Sequence, residues 1–264
     1  MRTVIAIANQ KGGVAKTTTA CALSAALAIR GYPTLLVDLD QQRNASTSFL
    51  SPEMTESATL ADVLVGHNDR KSIRDAIYQT HVEGLDLAPA SIRLALIERT
   101  VAIEEQYRLH DALESLTEYS FIVIDCPPSL GMTLTQALLA ASHVLVPIAA
   151  QYYPLEGVVD LTETIKATTR PNPNLSVLGY LVTVFDSRNS ICAQADAKIR
   201  EMFGSAVFDT VIRSNVKLQT APAYRKTIFE HAPQSHGSTD YDALTDELLD
   251  RLNVRTPIRM VKNE

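Results

Sequence analysis

Several absences narrow this chain before any motif is considered. Apolar residues make up 46% of the sequence, yet no uninterrupted apolar run approaches the length a membrane-spanning helix needs. Cysteine is scarce: Cys21, Cys126 and Cys192 are odd in number, far apart and set in apolar or helical patterns. That arrangement argues for reduced thiols and a cytoplasmic location rather than a disulfide or metal framework. The histidines, His67, His81, His110, His143, His231 and His236, show no metal-ligand spacing and are assigned no role. Basic charge is not in excess either. A net charge of −6 gives no protein-wide attraction to nucleic acid, so any such contact must be a local cationic patch. No internal repeat or low-complexity segment is found. The chain enters an apolar strand almost at once, and the expectation is one domain over residues 1–264 without a signal peptide or an N-terminal helix-turn-helix extension.

What is present is an alternation of strands and helices. Residues 2–8, 34–38, 85–89, 121–125, 143–147, 177–185 and 207–212 are short apolar runs of strand length. Between them lie helical patterns, among them 18–30, a long one over 92–116, 133–141, 154–169, 190–203 and 239–252. Such alternation implies an α/β fold, a mostly parallel twisted sheet with helices on both faces.

The most informative stretch is Asn9-Gln10-Lys11-Gly12-Gly13-Val14-Ala15-Lys16-Thr17-Thr18-Thr19. Strand, glycine-containing loop and helix in that order form a phosphate cradle, in which backbone N–H groups wrap anionic oxygens and a lysine reaches their terminal end. The start of the following helix adds partial positive charge beneath the phosphates. Lys16-Thr17 supply the closing pair. Gln10 and Ala15 occupy the two slots that usually hold glycine, so a strict pattern would miss the loop. Two further strands end in carboxylates, Asp38 and Asp125, and such an acid beside a phosphate site can orient Mg²⁺ or water.

The loop Lys-Gly-Gly-Val-Ala-Lys-Thr-Thr resembles that of the ParA/Soj family of partition ATPases, within the deviant Walker A group that also contains MinD. Two other segments strengthen the resemblance: Asp125-Cys126-Pro127-Pro128-Ser129-Leu130-Gly131 and Val37-Asp38-Leu39-Asp40-Gln41-Gln42-Arg43-Asn44-Ala45. The resemblance implies a P-loop NTPase that uses ATP and Mg²⁺, with nucleotide held by Lys11, Gly12, Gly13, Val14, Ala15, Lys16, Thr17, Thr18 and Asn215. It assigns Mg²⁺ to Thr17, Asp38 and Asp125, partly through water, and the attacking water to Asp40. Lys11 would cross a subunit boundary to the partner's nucleotide, making the ATP state a homodimer. No guanine-reading Asn-Lys-x-Asp motif is present. The chain departs from the family at Ala15, commonly glycine, and at Gln41-Gln42-Arg43, where Pro-Gln-Gly is usual.

In the C-terminal third, Phe185-Asp186-Ser187-Arg188 and Ser214-Asn215-Val216-Lys217-Leu218-Gln219-Thr220-Ala221-Pro222 align with family segments. Arg188 and Lys217 fall on positions implied to contact DNA nonspecifically, and Arg213, Arg225 and Lys226 would extend that patch. The expected function is therefore an ATP-dependent partition ATPase, nucleoid-associated, with a ParB-like partner that stimulates weak basal hydrolysis. The alternatives are a positioner of protein cargo, a metabolic kinase or ligase on the same loop, and a MinD-like membrane switch. The last needs an amphipathic C-terminal helix, for which Leu248–Leu252 is the candidate, interrupted downstream by Pro257.

Overall fold

The computed structural model describes residues 2–55, 57–66, 69–99, 103–151, 155 and 157–254. In chain order its elements are β1 (Thr3–Ile7), α1 (Lys16–Ile29), β2 (Thr34–Asp38), α2 (Asn44–Phe49), α3 (Leu60–Leu64), β3 (Tyr78–Gln79), β4 (Leu85–Ala88), α4 (Arg108–Glu114), β5 (Phe121–Asp125), α5 (Met132–Ala140), β6 (His143–Ala149), α6 (Val158–Thr168), β7 (Ser176–Phe185), α7 (Ser190–Phe203), β8 (Val207–Arg213), α8 (Val216–Thr220), α9 (Ile228–His231) and α10 (His236–Arg251). The strands form one sheet in the order β3-β4-β2-β5-β1-β6-β7-β8. All described pairings are parallel except that of the edge strand β3 with β4.

Alternation along each strand divides the core in two. Val4 and Ala6 of β1, Leu35 and Val37 of β2 and Ile122 and Ile124 of β5 face α3 to α7. Ile5, Ile7, Leu36, Phe121 and Val123 face α1, α2, α9 and α10. Burial on both faces explains why these strands read as continuous apolar runs rather than as alternating ones. Helix α1 packs closely because its inner face is small: Ala20, Ala22, Ala25 and Ala26 are buried with Leu23 and Leu27. A buried hydrogen bond of 3.0 Å between the hydroxyls of Thr19 and Tyr241 ties α1 to α10.

Two expectations change. The predicted long helix over 92–116 is instead a 3₁₀ segment, Ile92–Arg99, a second one, Ile103–Tyr107, and then α4, with 100–102 outside the described residues. Leu94 and Ile97 are buried three residues apart, a spacing that a 3₁₀ turn and an α-helix share. Tertiary contacts decide between them: Glu98 caps α5, and the Glu105 carbonyl accepts from Gln136 Nε2 at 2.7 Å. The second change concerns the membrane-switch alternative. Leu248 and Leu249 are buried in the core beneath α10, so the apolar face of that stretch is already covered; Pro257 lies outside the described residues, as does His67. Among the described residues no helix is long and apolar enough to cross a membrane.

Candidate nucleotide site

Parallel register brings the candidate residues together. In the sheet Ile7 pairs with Asp125 and Asp125 with Asp38, so the carboxyl ends of β1, β5 and β2 lie side by side. Ligands of open α/β sheets bind at this edge. The loop that leaves β1 is pinned at its start: Asn9 donates from Nδ2 to the Pro147 carbonyl at 2.7 Å and accepts from the Lys11 N–H at 2.9 Å. Its middle is pinned by Thr183, whose hydroxyl donates to the Val14 carbonyl at 3.0 Å. Gly13 takes φ +72°, and Ala15, at the N-cap of α1, takes φ +66°. The first is glycine's own territory; the second is a left-handed alanine, which costs about 1 kcal/mol.

Lys16 is buried at the start of α1 and donates from Nζ to the Lys11 carbonyl at 3.1 Å. Burial lowers its pKa, and the nearby Asp125, Cys126 and Asp40 oppose that shift. Asp125 is fully buried, and among the described residues its carboxylate oxygens meet no donor in full hydrogen-bond geometry, although the Thr17 hydroxyl lies close enough to act on them. Desolvation raises its pKa well above the carboxylate range, Asp38 and Asp40 add to the rise, and Thr17 and Lys16 moderate it. A buried carboxylate with both oxygens idle is costly unless a cation arrives. It lies beside Thr17 and Lys16, where a hydroxyl, a carboxylate and nucleotide phosphates would together suit Mg²⁺. Among the described residues no group of three or more His, Cys, Asp or Glu side chains could hold a metal by itself. The donor set therefore fits an ion bound mainly through phosphate and water.

Asp38 behaves differently. It is also fully buried, but Oδ2 accepts from the N–H and hydroxyl of Ser46 at 2.7 and 2.6 Å, and Oδ1 accepts from the Asp40 N–H at 3.1 Å. Desolvation pushes its pKa up to about 6 against these bonds, with the Asp40 charge adding to the rise. Asp38 thus holds the start of α2 and the Asp40 turn. Asp40 itself is buried, and its Oδ1 accepts from the Gln42 N–H at 2.9 Å. The turn ends at Arg43, at φ +62°, a backbone conformation that favours glycine. Ser46 and Thr183, which hold the Asp38 carboxylate and the phosphate loop, left no sequence signal beyond being small hydroxyl residues.

A pocket of about 310 Å³ adjoins the loop, bounded by Thr17, Thr18 and Cys21 of α1 on one side and by Leu218, Pro222 and Lys226 on another. Asn215 does not line it. Its side-chain oxygen accepts from the Lys217 N–H at 2.8 Å and caps α8.

The predicted cations come off adjacent strand ends, since Phe185 of β7 pairs with Arg213 of β8. Their states differ. Arg188 is highly exposed, with 89% of its side chain open to solvent, and forms a bidentate pair with Asp186 at 3.0 and 2.9 Å. Those bonds hold the Asp186 carboxyl down at about 2. Arg213 is clamped to the buried Asp240 through its backbone N–H at 2.9 Å and its Nε at 3.0 Å. That pairing gives Arg213 a structural task, while its side chain keeps 42% of its surface open to solvent. Lys217 is exposed in α8.

Residues 2–177 match the family described as AAA domain. The chain is 40% identical over 262 residues to the chromosome partitioning protein ParA of Myxococcus xanthus, covering 98% of this chain and 92% of that one. It is 39% identical over 252 residues to the sporulation initiation inhibitor protein Soj of Bacillus subtilis, covering 94% and 98%. A solved structure of cobyrinic acid a,c-diamide synthase from Mycobacterium smegmatis with bound ADP and magnesium superposes with a TM-score of 0.83 at 31% identity, covering 97% of this chain and 98% of that one. With identity near two residues in five spread over nearly the full length of ParA and Soj, and with the phosphate loop and both strand-end carboxylates in register, this chain belongs to the ParA/Soj family of partition ATPases.

Proposed function

We propose that the protein is a DNA-partitioning ATPase whose ATP-bound homodimer grips DNA without sequence preference and lets go after hydrolysis stimulated by a ParB-like partner. The observation that carries this reading is the setting of Lys16, which already lies inside its own loop, on the Lys11 carbonyl and within the field of Asp125 and Asp40. One lysine completes the electrostatics of one subunit's loop, so the second suits a task across a dimer interface, contacting the partner's nucleotide.

In this reading Lys16 and the N–H groups of Gly12, Gly13, Val14, Ala15, Thr17 and Thr18 hold the phosphates, and Thr17 and Asp125 hold Mg²⁺. The ion, when bound with ATP, supplies charge neutralisation on the phosphates. Asp38 keeps the switch turn in place through Ser46, and Asp40 orients the attacking water. The ADP and magnesium of the related synthase structure support this choice of cofactors. The nucleoside extends into the 310 Å³ pocket beside Thr18. Basal turnover is slow, because the switch arginine, Arg43, is turned toward the Thr55 hydroxyl at 3.4 Å, and hydrolysis waits for a partner. Arg188 and Lys217 form the DNA face, which places the protein in the cytoplasm on the nucleoid. Pairing two subunits doubles that face, so nucleotide state becomes DNA affinity.

Retention of nonspecific DNA measured with Mg·ATP, with Mg·ADP and for Lys11→Ala with Mg·ATP tests the coupling. Strong retention is expected only for the unaltered protein with Mg·ATP; equal retention in all three conditions would sink the reading.

A further inference from the structure

Helix α5 begins without a cap of its own. Its N-cap residue is Gly131, which has no side chain to offer, and its first turn contains no acidic residue. The missing acceptor comes from the 3₁₀ segment Ile92–Arg99. Glu98 accepts from the Met132 N–H at 2.8 Å with Oε2 and from the Thr133 N–H at 3.1 Å with Oε1. Glycine at 131 is what admits it: a Cβ built there would lie 1.8 Å from Glu98 Oε2. A carboxylate so placed satisfies two orphan donors and meets the positive end of the helix dipole.

The turn that this clasp closes, 126–131, is the one that leaves Asp125. On its other side Glu98 borders a small cavity of about 40 Å³ together with Leu39 and Gln41, which flank Asp40, and with Pro127 and Ser129 of the turn. The segments after β2 and β5 are also joined directly, by the Leu39 N–H on the Asp125 carbonyl at 3.0 Å. We infer that Glu98 is a positioning residue: by holding the head of α5 it fixes the 126–131 turn, and through that turn the direction in which Asp125 presents its idle oxygens to Mg²⁺. This rests on the reading of Asp125 as a metal carboxylate. Glu98 touches neither nucleotide nor metal, and because it is exposed the clasp can open without disturbing the core.

Three proteins test it: the unaltered chain, Glu98→Ala, and Gly131→Ala, whose methyl group displaces the carboxylate while leaving Glu98 in place. In the nucleotide-free protein, amide exchange at Met132 and Thr133 is expected to accelerate about fivefold in both variants. The Mg²⁺ concentration that half-saturates the enhancement of fluorescent ATP-analogue binding is expected to rise about tenfold. Affinity for the analogue without Mg²⁺ stays within about twofold, since the phosphate loop is untouched. The double variant is expected to match either single one, and Glu98→Gln, which keeps one acceptor oxygen, to fall between. Faster exchange with an unchanged Mg²⁺ requirement would make Glu98 a helix cap only and overturn the inference. An unaltered protein whose analogue binding is indifferent to Mg²⁺ would overturn the metal reading of Asp125, and the inference with it.

Discussion

The two ends of the proposed switch are built in opposite ways. At the nucleotide end, Asp38 and Asp125 are fully buried and paired in strand register, and Asn9 and Thr183 pin the loop between them to β6 and β7. At the cation end, Arg188 is mostly solvated and Lys217 is exposed on a five-residue helix, while Arg213 is tied to Asp240. Phosphate chemistry needs fixed geometry, since charge must meet charge within a hydrogen-bond length. Contact with a phosphodiester backbone needs only net positive potential, which mobile surface cations deliver. Changes at the first end should therefore be steep and specific, and changes at the second graded and salt dependent.

The largest effect is expected at Lys16. Lys16→Ala should weaken ATP binding by about a hundredfold or more in calorimetry, whereas Arg188→Ala should leave it unchanged; comparable losses would erase the contrast. Asp125→Asn comes next. It should abolish Mg²⁺-dependent hydrolysis while leaving the thermal midpoint of the metal-free protein unchanged or slightly higher, because it replaces a buried carboxyl whose ionised form desolvation already disfavours. A midpoint lowered by several degrees would mean that the carboxylate has partners the geometry does not provide.

Titration sharpens the same point. The folded-state pKa of Asp38 is raised to about 6, above the roughly 4 of an unfolded aspartate. Between those values the folded protein binds more protons than the unfolded one, so stability falls as pH rises through that window. Asp125, raised as well, adds a loss of the same sign. Thermal midpoints of the metal-free protein should thus drop from pH 5 to pH 7, and Mg·ATP should reduce the drop. A flat profile would contradict the burial argument.

At the cation end the effects are smaller. Lys217→Ala and Arg188→Ala should each weaken DNA binding about fivefold and lower the slope of log affinity against log salt by about one, with ATP binding intact. Arg213→Ala should instead cost about 1–3 kcal/mol of stability, because it strands the buried Asp240, and should leave the salt slope unchanged. The smallest changes are gains. Ala15→Gly and Arg43→Gly each relieve a left-handed residue and should raise the thermal midpoint by about 2–4 °C.

The strand-loop-helix architecture around residues 9–19 and the two strand-final aspartates were readable from sequence, because such patterns are local. The departures expected at Ala15 and Arg43 were visible as changed letters, but their meaning was not: only the backbone shows that both sit at positive φ, where a glycine would be free of strain. The structural pairing of Arg213 was hidden for a different reason. Its partner Asp240 lies 27 residues further on, and no local pattern announces such a pair. The Ile92–Leu116 stretch failed because apolar residues three apart suit two kinds of helix, and the choice was made by distant contacts such as Glu98 on α5. The burial of Leu248 and Leu249 could not be read from their own segment either, since it depends on the sheet beneath them.

The claim on which the rest depends is that Lys11 joins nucleotide to pairing. Particle mass in solution, measured with Mg²⁺ and a non-hydrolysable ATP analogue for the unaltered protein and for Lys11→Ala, tests it directly. The expected result is twice the protomer mass for the unaltered protein and a single protomer for Lys11→Ala, with analogue binding in the variant still detectable. Equal masses for the two proteins, whether both single or both paired, would contradict it.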